Sequence, residues 1–574
     1  LGPQALSDLL VELAPTVSRF LAHLFRVEAE WNALRLRTEE ELHVFRFKDE
    51  FVKRRALKRK ADDCSRAAGD AVLHALGVVG ERCDDERHVA MAVLTLLDRE
   101  AELKKRPVDD PELLAVRNDL TALEQWVVSR KPDLGKKWLS FKFAPPTPDA
   151  LNLVELRRPS QELREMIVGP YEHRRARDGF RLTDRRMTPS QVLAEVDYCL
   201  YCHDRDKDSC SKGLKDAKTG AIKPNALGIE LNGCPLDEKI SEMHMLRRQG
   251  DSVGALALVC IDNPMCPGTG HRICNDCMKA CIYQKQKPVD IPQIETGMLT
   301  DVLSLPYGLE IYGLLTRWNP LDVARPYALP YRGQDVLVVG LGPAGYTLAH
   351  HLLNEGFGVV GIDGLKLEPL PVELVGDWER GVLPKPVRTF QYEELDERVL
   401  LGFGGVSEYG ITVRWDKNFL GLIYATLLRR DKFRAYGGAR LGGTLTLDDA
   451  WKLGFAHVAI AVGAGKPTII DIENNLIRGV RKASDFLMAL QLTGAYKRSS
   501  LANLQVRLPA IVIGGGLTGI DTATELLAYY VVQVEKVLER YESLVAAFGE
   551  TRVRASFDGE EIETLDEFVA HGRV

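Results

Sequence analysis

Three closely spaced glycines mark the first stretch of the 574-residue sequence whose residue types could do chemistry. Gly340, Gly342 and Gly345 follow a short apolar run and precede an apolar stretch with helical spacing. The first glycine permits a tight turn, the second lets the backbone approach a pyrophosphate, and the third lets helix and strand pack closely. A second apolar run, 359–362, ends at Asp363, at the spacing expected for an acid that binds ribose hydroxyls. The pattern predicts a dinucleotide-binding unit, with phosphate held at the helix N-terminus.

A second glycine-rich turn lies near the end of the sequence. Its glycines are Gly514, Gly515, Gly516 and Gly519. We expect a strand over 510–513 before them and a helix over 521–530 after them. A nicotinamide-binding unit needs a further strand that ends in an acid or in basic residues, but the sequence continues with helical and charged character. We therefore expect this unit to be cut, or interrupted by an insertion.

Nine of the eleven cysteines fall in one block, between Cys199 and Cys281. Cys199 and Cys202 have the two-residue spacing that lets both thiolates meet one metal centre, and Cys234 and Cys266 are each followed by proline. Such crowding in a large chain without a secretion signal favours metal over disulfides. Structural zinc takes two close pairs per site, whereas Cys–Pro elements and mixed spacings suit iron–sulfur clusters. The residues alone favour clusters and leave zinc open.

The remaining composition is that of an ordinary globular chain. Net charge is −6, so the sequence lacks the basic character typical of proteins that bind nucleic acid or anionic membranes. We find no 18-residue apolar run and no signal peptide, and we predict a cytoplasmic protein without a membrane span. The first 190 residues have mainly helical periodicity and no cofactor motif. The charged segment 39–60 within them is typical of a solvated helix face, with a partner-docking helix as the alternative.

The order of these parts resembles the small subunit of glutamate synthase. The likeness covers roughly residues 195 to 530. It rests on the cysteine block, the segment 288–295, the first glycine turn, the segment 404–411 and the second glycine turn, which follow the family's order. The same module is similar to the N-terminal half of dihydropyrimidine dehydrogenase and to the large subunit of electron-bifurcating transhydrogenases. The resemblance implies an α/β protein with two Rossmann-like dinucleotide-binding domains, preceded by a helical iron–sulfur domain and an additional helical N-terminal region.

The resemblance also implies two 4Fe–4S clusters with interleaved ligands. One cluster would take Cys199, Cys202, Cys210 and Cys281. The other would take Cys234, Cys266, Cys277 and a non-cysteine ligand, which falls on Glu295. Cys274 could replace Cys277, and Cys260 is a spare. For Glu295 the alternative is a helix cap or a carboxylate that faces solvent.

For the other cofactors the resemblance implies contacts at the two glycine turns. FAD would be bound by Gly340, Gly342, Pro343, Ala344, Gly345, Asp363, Gly404, Gly405, Tyr409 and Gly410. A strand ending at Gly463 and Gly465 commonly crosses beneath the flavin in such enzymes, although a plain buried strand and turn fits the same residues. The nicotinamide would be bound by Gly514, Gly515, Gly516, Leu517, Thr518 and Gly519, with NADH and NADPH both open.

We therefore predict an NAD(P)H-dependent flavin and iron–sulfur oxidoreductase module. Hydride would pass from nicotinamide to FAD, and single electrons would leave through the two clusters to a partner domain or subunit. The sites are cofactor cradles, and no catalytic side chain is assigned. A ferredoxin-linked or electron-bifurcating transhydrogenase-type subunit is one alternative, and a non-catalytic scaffold subunit of a redox complex is another. The expected domains are 1–190 (helical, possible docking), 191–325 (two clusters), 330–505 (FAD) and 506–574 (incomplete nicotinamide domain), within a larger chain or hetero-oligomer.

Overall fold

The computed structural model of the protein describes residues 2–60, 65–135, 137–143, 156–169, 177, 179–183, 186–202, 208–225, 227–271, 273–411, 413–464 and 467–574. The chain divides into two compact units. The first is formed by Leu1–Val154, Arg186–Pro264 and Cys274–Ala324, and the second by Glu155–Arg185, Met265–Ile273 and Arg325–Val574. The N-terminal helices and most of the cysteine block therefore share one unit, and both glycine turns lie in the other.

The described residues of the first unit form helices and two isolated antiparallel β-bridges, Lys215 with Ile222 and Pro224 with Glu230. Up to residue 315 the chain forms α1 (Pro3–Phe25), α2 (Glu28–Phe47), α3 (Ala67–Ala75), α4 (Glu86–Leu103), α5 (Pro111–Leu134), α6 (Pro189–Tyr198), α7 (Ser209–Lys212), α8 (Ile240–Arg248), α9 (Ser252–Asp262), α10 (Cys266–Thr269), α11 (Asp276–Ala280), α12 (Ile291–Ser304) and α13 (Gly308–Leu315). Of these, only α10 belongs to the second unit. A π-helical stretch, Lys48–Lys53, continues α2.

Local capping residues set the start of the two helices that flank the predicted metal ligands. Thr188 and Gln191 form a capping box ahead of α6, in which each side chain bonds to the backbone of the other residue. Asp290 accepts an N–H bond at the start of α12. These starts fix the positions of Cys199, directly after α6, and of Glu295, within α12.

A hydrophobic core joins the N-terminal helices. Phe47, Phe51, Trp126 and Trp138 are buried in it, and the rings of Phe47 and Phe51 stack with centroids 5.7 Å apart. Burial of such aromatic side chains supplies much of the stability of a small helical core. Within the charged segment 39–60, Val44, Phe47, Phe51 and Val52 are therefore core residues, whereas Leu42 is 37% exposed. Glu41 and Lys48 of the same segment are buried, so its charged residues do not all face solvent.

A four-stranded parallel sheet organises the second unit. Its strands are β1 (Asp335–Val339), β2 (Gly358–Ile362), β3 (Phe433–Tyr436) and β4 (His457–Ile460), in the order β3–β2–β1–β4. In the central strand, Val336 is in register with Val359 of β2 and His457 of β4. The apolar runs predicted as β1 and β2 are buried strands, as strands covered on both faces require. The strand order is that of a Rossmann-type sheet, so the α/β class is confirmed.

The second unit also contains helices after residue 340. They are α14 (Pro343–Asn354), α15 (Val372–Val375), α16 (Val406–Tyr409), α17 (Asn418–Leu428), α18 (Leu447–Lys452), α19 (Ala483–Leu492), α20 (Leu517–Phe548), α21 (Glu550–Arg554) and α22 (Gly559–Gly572). The helix predicted over 521–530 is thus part of α20, which is 32 residues long.

The strand predicted over 510–513 is wrong. Residues 510–515 form neither strand nor helix, and Ile511 and Ile513 are 86% and 63% exposed. A strand needs a neighbour to pair its backbone N–H and C=O groups, and residues 467–574 contain no strand at all. The described residues therefore form one sheet, and a second Rossmann-like domain stays a prediction.

Candidate functional site

The first glycine turn connects β1 to α14, and its geometry requires glycine at two positions. Gly340 has φ 97°, a left-handed conformation, and a Cβ there would lie 2.9 Å from the carbonyl carbon of Ala461, just after β4. A Cβ at Gly345 would overlap the carbonyl oxygen of Gly340 and lie 2.8 Å from its carbonyl carbon. These contacts bring the helix start close to the turn, so that its free N–H groups gather where a phosphate would bind.

Gly342 has a different role, because the protein itself leaves room for a side chain there. It has φ −74° and ψ −172°, and its nearest non-bonded neighbour for a Cβ is the Cα of Gly405, 3.6 Å away. The Gly404 N–H donates to the Leu341 carbonyl at 3.1 Å, which holds the segment around Gly404 and Gly405 against the turn. Pro343 and Ala344 begin α14 directly behind Gly342. Packing within the protein therefore does not require glycine at 342. A ligand that approaches the backbone closely at this position would require it.

Asp363 directly follows β2, and its carboxylate accepts a backbone hydrogen bond from the first glycine turn. Its Oδ2 accepts the Leu341 N–H at 2.9 Å, and its Oδ1 accepts the Leu365 N–H at 3.0 Å. An ionised carboxylate has about four acceptor positions, so two remain for other donors. Burial raises the pKa of Tyr409, and the charge of Asp363 raises it further, which places this tyrosine near the carboxylate.

A buried polar network under α16 was not predicted from the sequence. Lys417 is 3% exposed, and its amine donates to the Glu408 carbonyl and, at 3.0 Å, to Gln491 Oε1. Arg398 pairs with the Glu408 carboxylate, itself fully buried. Burial lowers the pKa of Lys417 to about 7. The network fixes the segment that ends at Tyr409, and the sequence signal was a lone lysine beside an apolar run.

The second glycine turn repeats the backbone contact of the first. Gly514 has φ 119°, and a Cβ at Gly519 would overlap the Gly514 carbonyl oxygen and lie 3.0 Å from its carbonyl carbon. An ion pair between Arg414 and Asp521, 2.9 Å long, anchors the first turns of α20. The predicted contacts Gly515, Gly516, Leu517 and Thr518 lie between these glycines, at the N-terminus of α20. The turn has the form of a phosphate-binding helix start without a strand before it.

Two further predicted flavin contacts, Gly463 and Gly410, each lie just after a strand or helix of the second unit. Gly463 follows β4 with φ 69°, as a turn at the end of a strand requires. Gly410 directly follows α16. Gly465 lies outside the described residues.

In the first unit, four predicted ligands come together around one small cavity. Cys199 and Cys202 follow α6, Cys210 lies in α7, and Cys281 follows α11, and all four line the cavity. Cys210 and Cys281 are buried, and Cys199 and Cys202 are partly buried. The fold therefore gathers cysteines from three separate stretches of sequence, as the resemblance implied for one cluster.

Backbone N–H groups are directed at sulfur atoms of this set. The Tyr201 N–H donates to Cys199 Sγ at 3.4 Å, and the backbone N–H groups of Val289 and Tyr283 donate to Cys281. Such bonds stabilise thiolate ligands and tune clusters. Burial raises the pKa of Cys199 to about 12. The donor set and its N–H bonds fit an iron–sulfur cluster.

His244 lines the same cavity and was not predicted from the sequence. It lies on α8 with its side chain fully buried, and neither ring nitrogen has a hydrogen-bond partner among the described residues. Burial lowers the pKa of His244 to about 3, with a smaller contribution from Arg247, so the imidazole is neutral. A single histidine between methionines in an apolar helical pattern carries no signal that would separate it from an ordinary core residue.

The second predicted ligand set is divided between the units. Cys234, Cys277 and Glu295 lie in the first unit, where burial and neighbouring acidic groups raise the pKa values of both cysteines. Burial raises the pKa of Glu295 well above its usual range, and Glu238, which shares a hydrogen bond with it, acts in the same direction. Cys266 begins α10 in the second unit.

The remaining cysteines of the block divide into one neighbour of this set and one core residue. Cys274 contributes to the raised pKa of Glu295, so Cys274 and Cys277 both flank this carboxylate. Cys260 is buried within α9. No group of three or more Cys, His, Asp or Glu side chains surrounds a single metal ion in the described part of the chain. A 4Fe–4S cluster distributes its ligands over four iron atoms and so needs a wider arrangement than one ion does.

The sheet and the glycine turn define a class of protein. Residues 334–562 match the family model of the pyridine nucleotide-disulphide oxidoreductases. This match supports a pyridine nucleotide-dependent flavin oxidoreductase, with FAD and a nicotinamide as cofactors. It covers the Rossmann-type sheet, both glycine turns and the segment 404–411, and it leaves the cysteine block outside.

Two relatives come from Rickettsia prowazekii (strain Madrid E). Uncharacterized protein RP006 is 48% identical over 312 residues, which cover 54% of this chain and 41% of that protein. Uncharacterized protein RP005 is 26% identical over 258 residues, which cover 43% of this chain and 82% of that protein. The chain thus spans about two fifths of the length of RP006.

In the ranges that the structure describes, no helix has both the length and the apolar character needed to cross a bilayer.

Proposed function

We propose that the protein takes electrons from NAD(P)H onto FAD and passes them through two 4Fe–4S clusters to an acceptor domain or subunit, in the manner of the glutamate synthase small subunit. The observation that carries the proposal is the meeting of Cys199, Cys202, Cys210 and Cys281 around one cavity. When bound, FAD accepts the two electrons of a hydride together, and the clusters carry electrons singly. This division explains why one chain would hold both kinds of cofactor.

The first glycine turn would hold the pyrophosphate of FAD. Gly340 and Gly345 shape the turn, and the open space at Gly342 is where the ligand would approach the backbone. Asp363 would hold the turn through Leu341 and accept ribose hydroxyls with its remaining lone pairs. Tyr409 lies near Asp363 and would border the same cofactor.

The four cysteines at the cavity would hold the first cluster. Their sulfurs would bind as thiolates, with the N–H bonds from Tyr201, Tyr283 and Val289 offsetting the negative charge. For the second cluster we propose Cys234, Cys277 and Glu295, which all lie in the first unit.

The second glycine turn would hold the nicotinamide dinucleotide. Its support is the repeated contact between Gly514 and Gly519, which matches that between Gly340 and Gly345. NADH and NADPH are both compatible with this turn. The acceptor of the electrons, the cytoplasmic setting and the membership of a larger chain or hetero-oligomer belong to the same proposal.

Iron and sulfide analysis of anaerobically purified protein tests the clusters. We expect about eight iron atoms and about eight acid-labile sulfides per chain, with bound flavin in the same sample. Cys202→Ser should remove about half of the iron and sulfide, because Cys202 belongs to one of the two sets. Cys83→Ser is the matched control, since Cys83 is a partly buried thiol of the same unit and donates to the Val78 carbonyl at 3.4 Å.

Two results of the metal analysis would contradict the proposal. Zinc at one or two equivalents with no sulfide would exclude iron–sulfur clusters in the cysteine block. Equal iron in the Cys202→Ser protein and in the wild type would show that this cysteine binds no cluster.

A further inference from the structure

His244 is a buried polar residue whose partner is missing from the described part of the protein. Its side chain is 0% exposed, and both Nδ1 and Nε2 lack a hydrogen-bond partner there. A buried N–H without an acceptor is costly, and native proteins almost always satisfy such groups. The side chain lines the cavity shared by Cys199, Cys202, Cys210 and Cys281. The cavity is therefore a space from which a bound group could reach this imidazole.

We propose that His244 donates an N–H hydrogen bond to a sulfur of the cluster held at this cavity and thereby sets the reduction potential of that cluster. The inference rests on the proposed function, because it requires a cluster there. His244 would act as a positioning residue, since the four cysteines already supply the four ligands that a cubane takes.

Other polar groups adjoin the cavity beside His244. Ser241 lies one turn before it on α8 and also lines the cavity, and its hydroxyl donates to Asp208 at 3.4 Å. The same carboxylate accepts from Cys210 Sγ at 3.3 Å. Negative charge is thus already present at this wall, where an added N–H donor would offset the charge of a reduced cluster. Hydrogen bonds to cluster sulfurs make reduction easier, and burial strengthens them.

The α8 helix fixes the imidazole in this place. Met243 and Leu246, its neighbours on the helix, are fully buried and do not line the cavity. The helix therefore packs into the core through them and directs His244 toward the cysteines. A substitution at 244 consequently changes the cavity wall without removing the residues that seat the helix.

Redox titration of the intact, cofactor-loaded protein, monitored by electron paramagnetic resonance, tests the proposal. We expect His244→Leu to keep its iron, sulfide and flavin and to shift the midpoint potential of one cluster to a more negative value. The potential of the other cluster should stay unchanged. His244→Asn, which retains an N–H donor, should recover part of the shift. Met243→Leu is the control, because it conserves volume at a buried position of the same helix away from the cavity.

A second measurement detects the proton of the proposed His244 hydrogen bond directly. In wild-type protein exchanged into deuterated buffer under conditions that allow opening, electron–nuclear double resonance should detect a deuteron coupling from His244 beside those of the backbone N–H groups, and the spectrum of His244→Leu should lack that one coupling.

The results for the two His244 variants distinguish a hydrogen-bond donor from a cluster ligand. Unchanged potentials in a His244→Leu protein that retains both clusters would overturn the donor role. Loss of one cluster in both His244→Leu and His244→Asn would overturn it too, and would make His244 a ligand. If His244→Leu loses the cluster but His244→Asn keeps it near the wild-type potential, the donor role stands. Wild-type protein without sulfide would reject the proposed function itself, before any variant is compared.

Discussion

At the scale of single residues, the glycines of the first turn separate two kinds of constraint. Gly345 is required by the backbone, because a side chain would overlap the Gly340 carbonyl. Gly342 is not, because its nearest obstacle to a Cβ is 3.6 Å away, an ordinary van der Waals distance. A methyl group at Gly342 therefore tests the ligand with little effect on the fold.

We expect Gly342→Ala to fold normally and to lose at least about nine tenths of its bound flavin, since the methyl group would occupy the place of a pyrophosphate. Flavin absorbance per protein and far-ultraviolet circular dichroism measure the two effects. Gly421→Ala is the control, a glycine of α17 with open space around its Cβ position. Stoichiometric flavin in Gly342→Ala would show that the pyrophosphate lies elsewhere.

Lys417 makes the stability of the second unit depend on pH. Burial lowers the pKa of its amine to about 7, well below the usual value of about 10.4 in an unfolded chain. Between these two values the unfolded chain binds more protons at this site than the folded protein does, so the free energy of unfolding rises with pH by up to about 1.4 kcal/mol per unit. Lys417→Met should remove that slope between pH 7 and 9. Urea unfolding at several pH values compares the two proteins, and equal slopes would mean that Lys417 stays charged in the fold.

At the scale of elements, the sequence was sufficient to predict structures that depend on residues close together in the chain. β1, the first turn and β2 follow from apolar runs and glycine spacing, because the hydrogen bonds and packing they need are local or between adjacent strands. The strand prediction at 510–513 failed because a strand also depends on a partner, and residues 467–574 form none. His244 and Lys417 were missed for a related reason, since burial of one polar residue is set by helices far away in sequence. The cysteine set at the cavity was predicted only through the resemblance.

The second glycine turn yields an element-scale prediction. A side chain at Gly519 would force α20 away from the Gly514 carbonyl and distort the helix start. We expect Gly519→Ala to keep its flavin but to be reduced by NAD(P)H at least about tenfold more slowly, because the phosphate-binding N–H groups would be displaced. Anaerobic stopped-flow absorbance of the flavin follows the reduction.

The control for this variant is Gly559→Ala, at the first residue of α22, where a Cβ meets nothing within 4 Å. Undiminished reduction in Gly519→Ala would remove this turn from the nicotinamide site. Loss of flavin from the same variant would assign the turn to FAD instead.

At the scale of the whole molecule, the N-terminal helices and the cysteine helices are one compact unit. A buried ion pair joins them, between Lys48 Nζ and Asp197 Oδ2 at 2.7 Å, with the side chains 6% and 10% exposed. Asp197 lies two residues before Cys199, at the end of α6. The first 190 residues therefore support the cysteine block directly.

Lys48→Met should destabilise the first unit by about 3–5 kcal/mol, because it leaves the Asp197 carboxylate buried and unpaired. Lys48→Met combined with Asp197→Leu should recover most of this loss, since replacing both charges by apolar groups removes the unpaired carboxylate. Urea unfolding followed by the fluorescence of Trp126 and Trp138, which lie in the core of this unit, gives the free energies. A single variant as stable as the wild type would mean that water reaches Asp197.

Burial of the cysteines at the cavity also decides how fast reagents reach them. Cys210 is 8% exposed and Cys281 is 6% exposed, so an alkylating agent or an iron chelator reaches these sulfurs only when the first unit opens. At high reagent concentration the rate of reaction would equal the rate of opening and would stop depending on the reagent. The same burial would restrict the access of iron and sulfide to these cysteines during cluster assembly. If a cluster is bound here as proposed, its iron and sulfide would have to enter before the helices close or during such an opening, and the rate of cluster assembly would depend on the rate of opening.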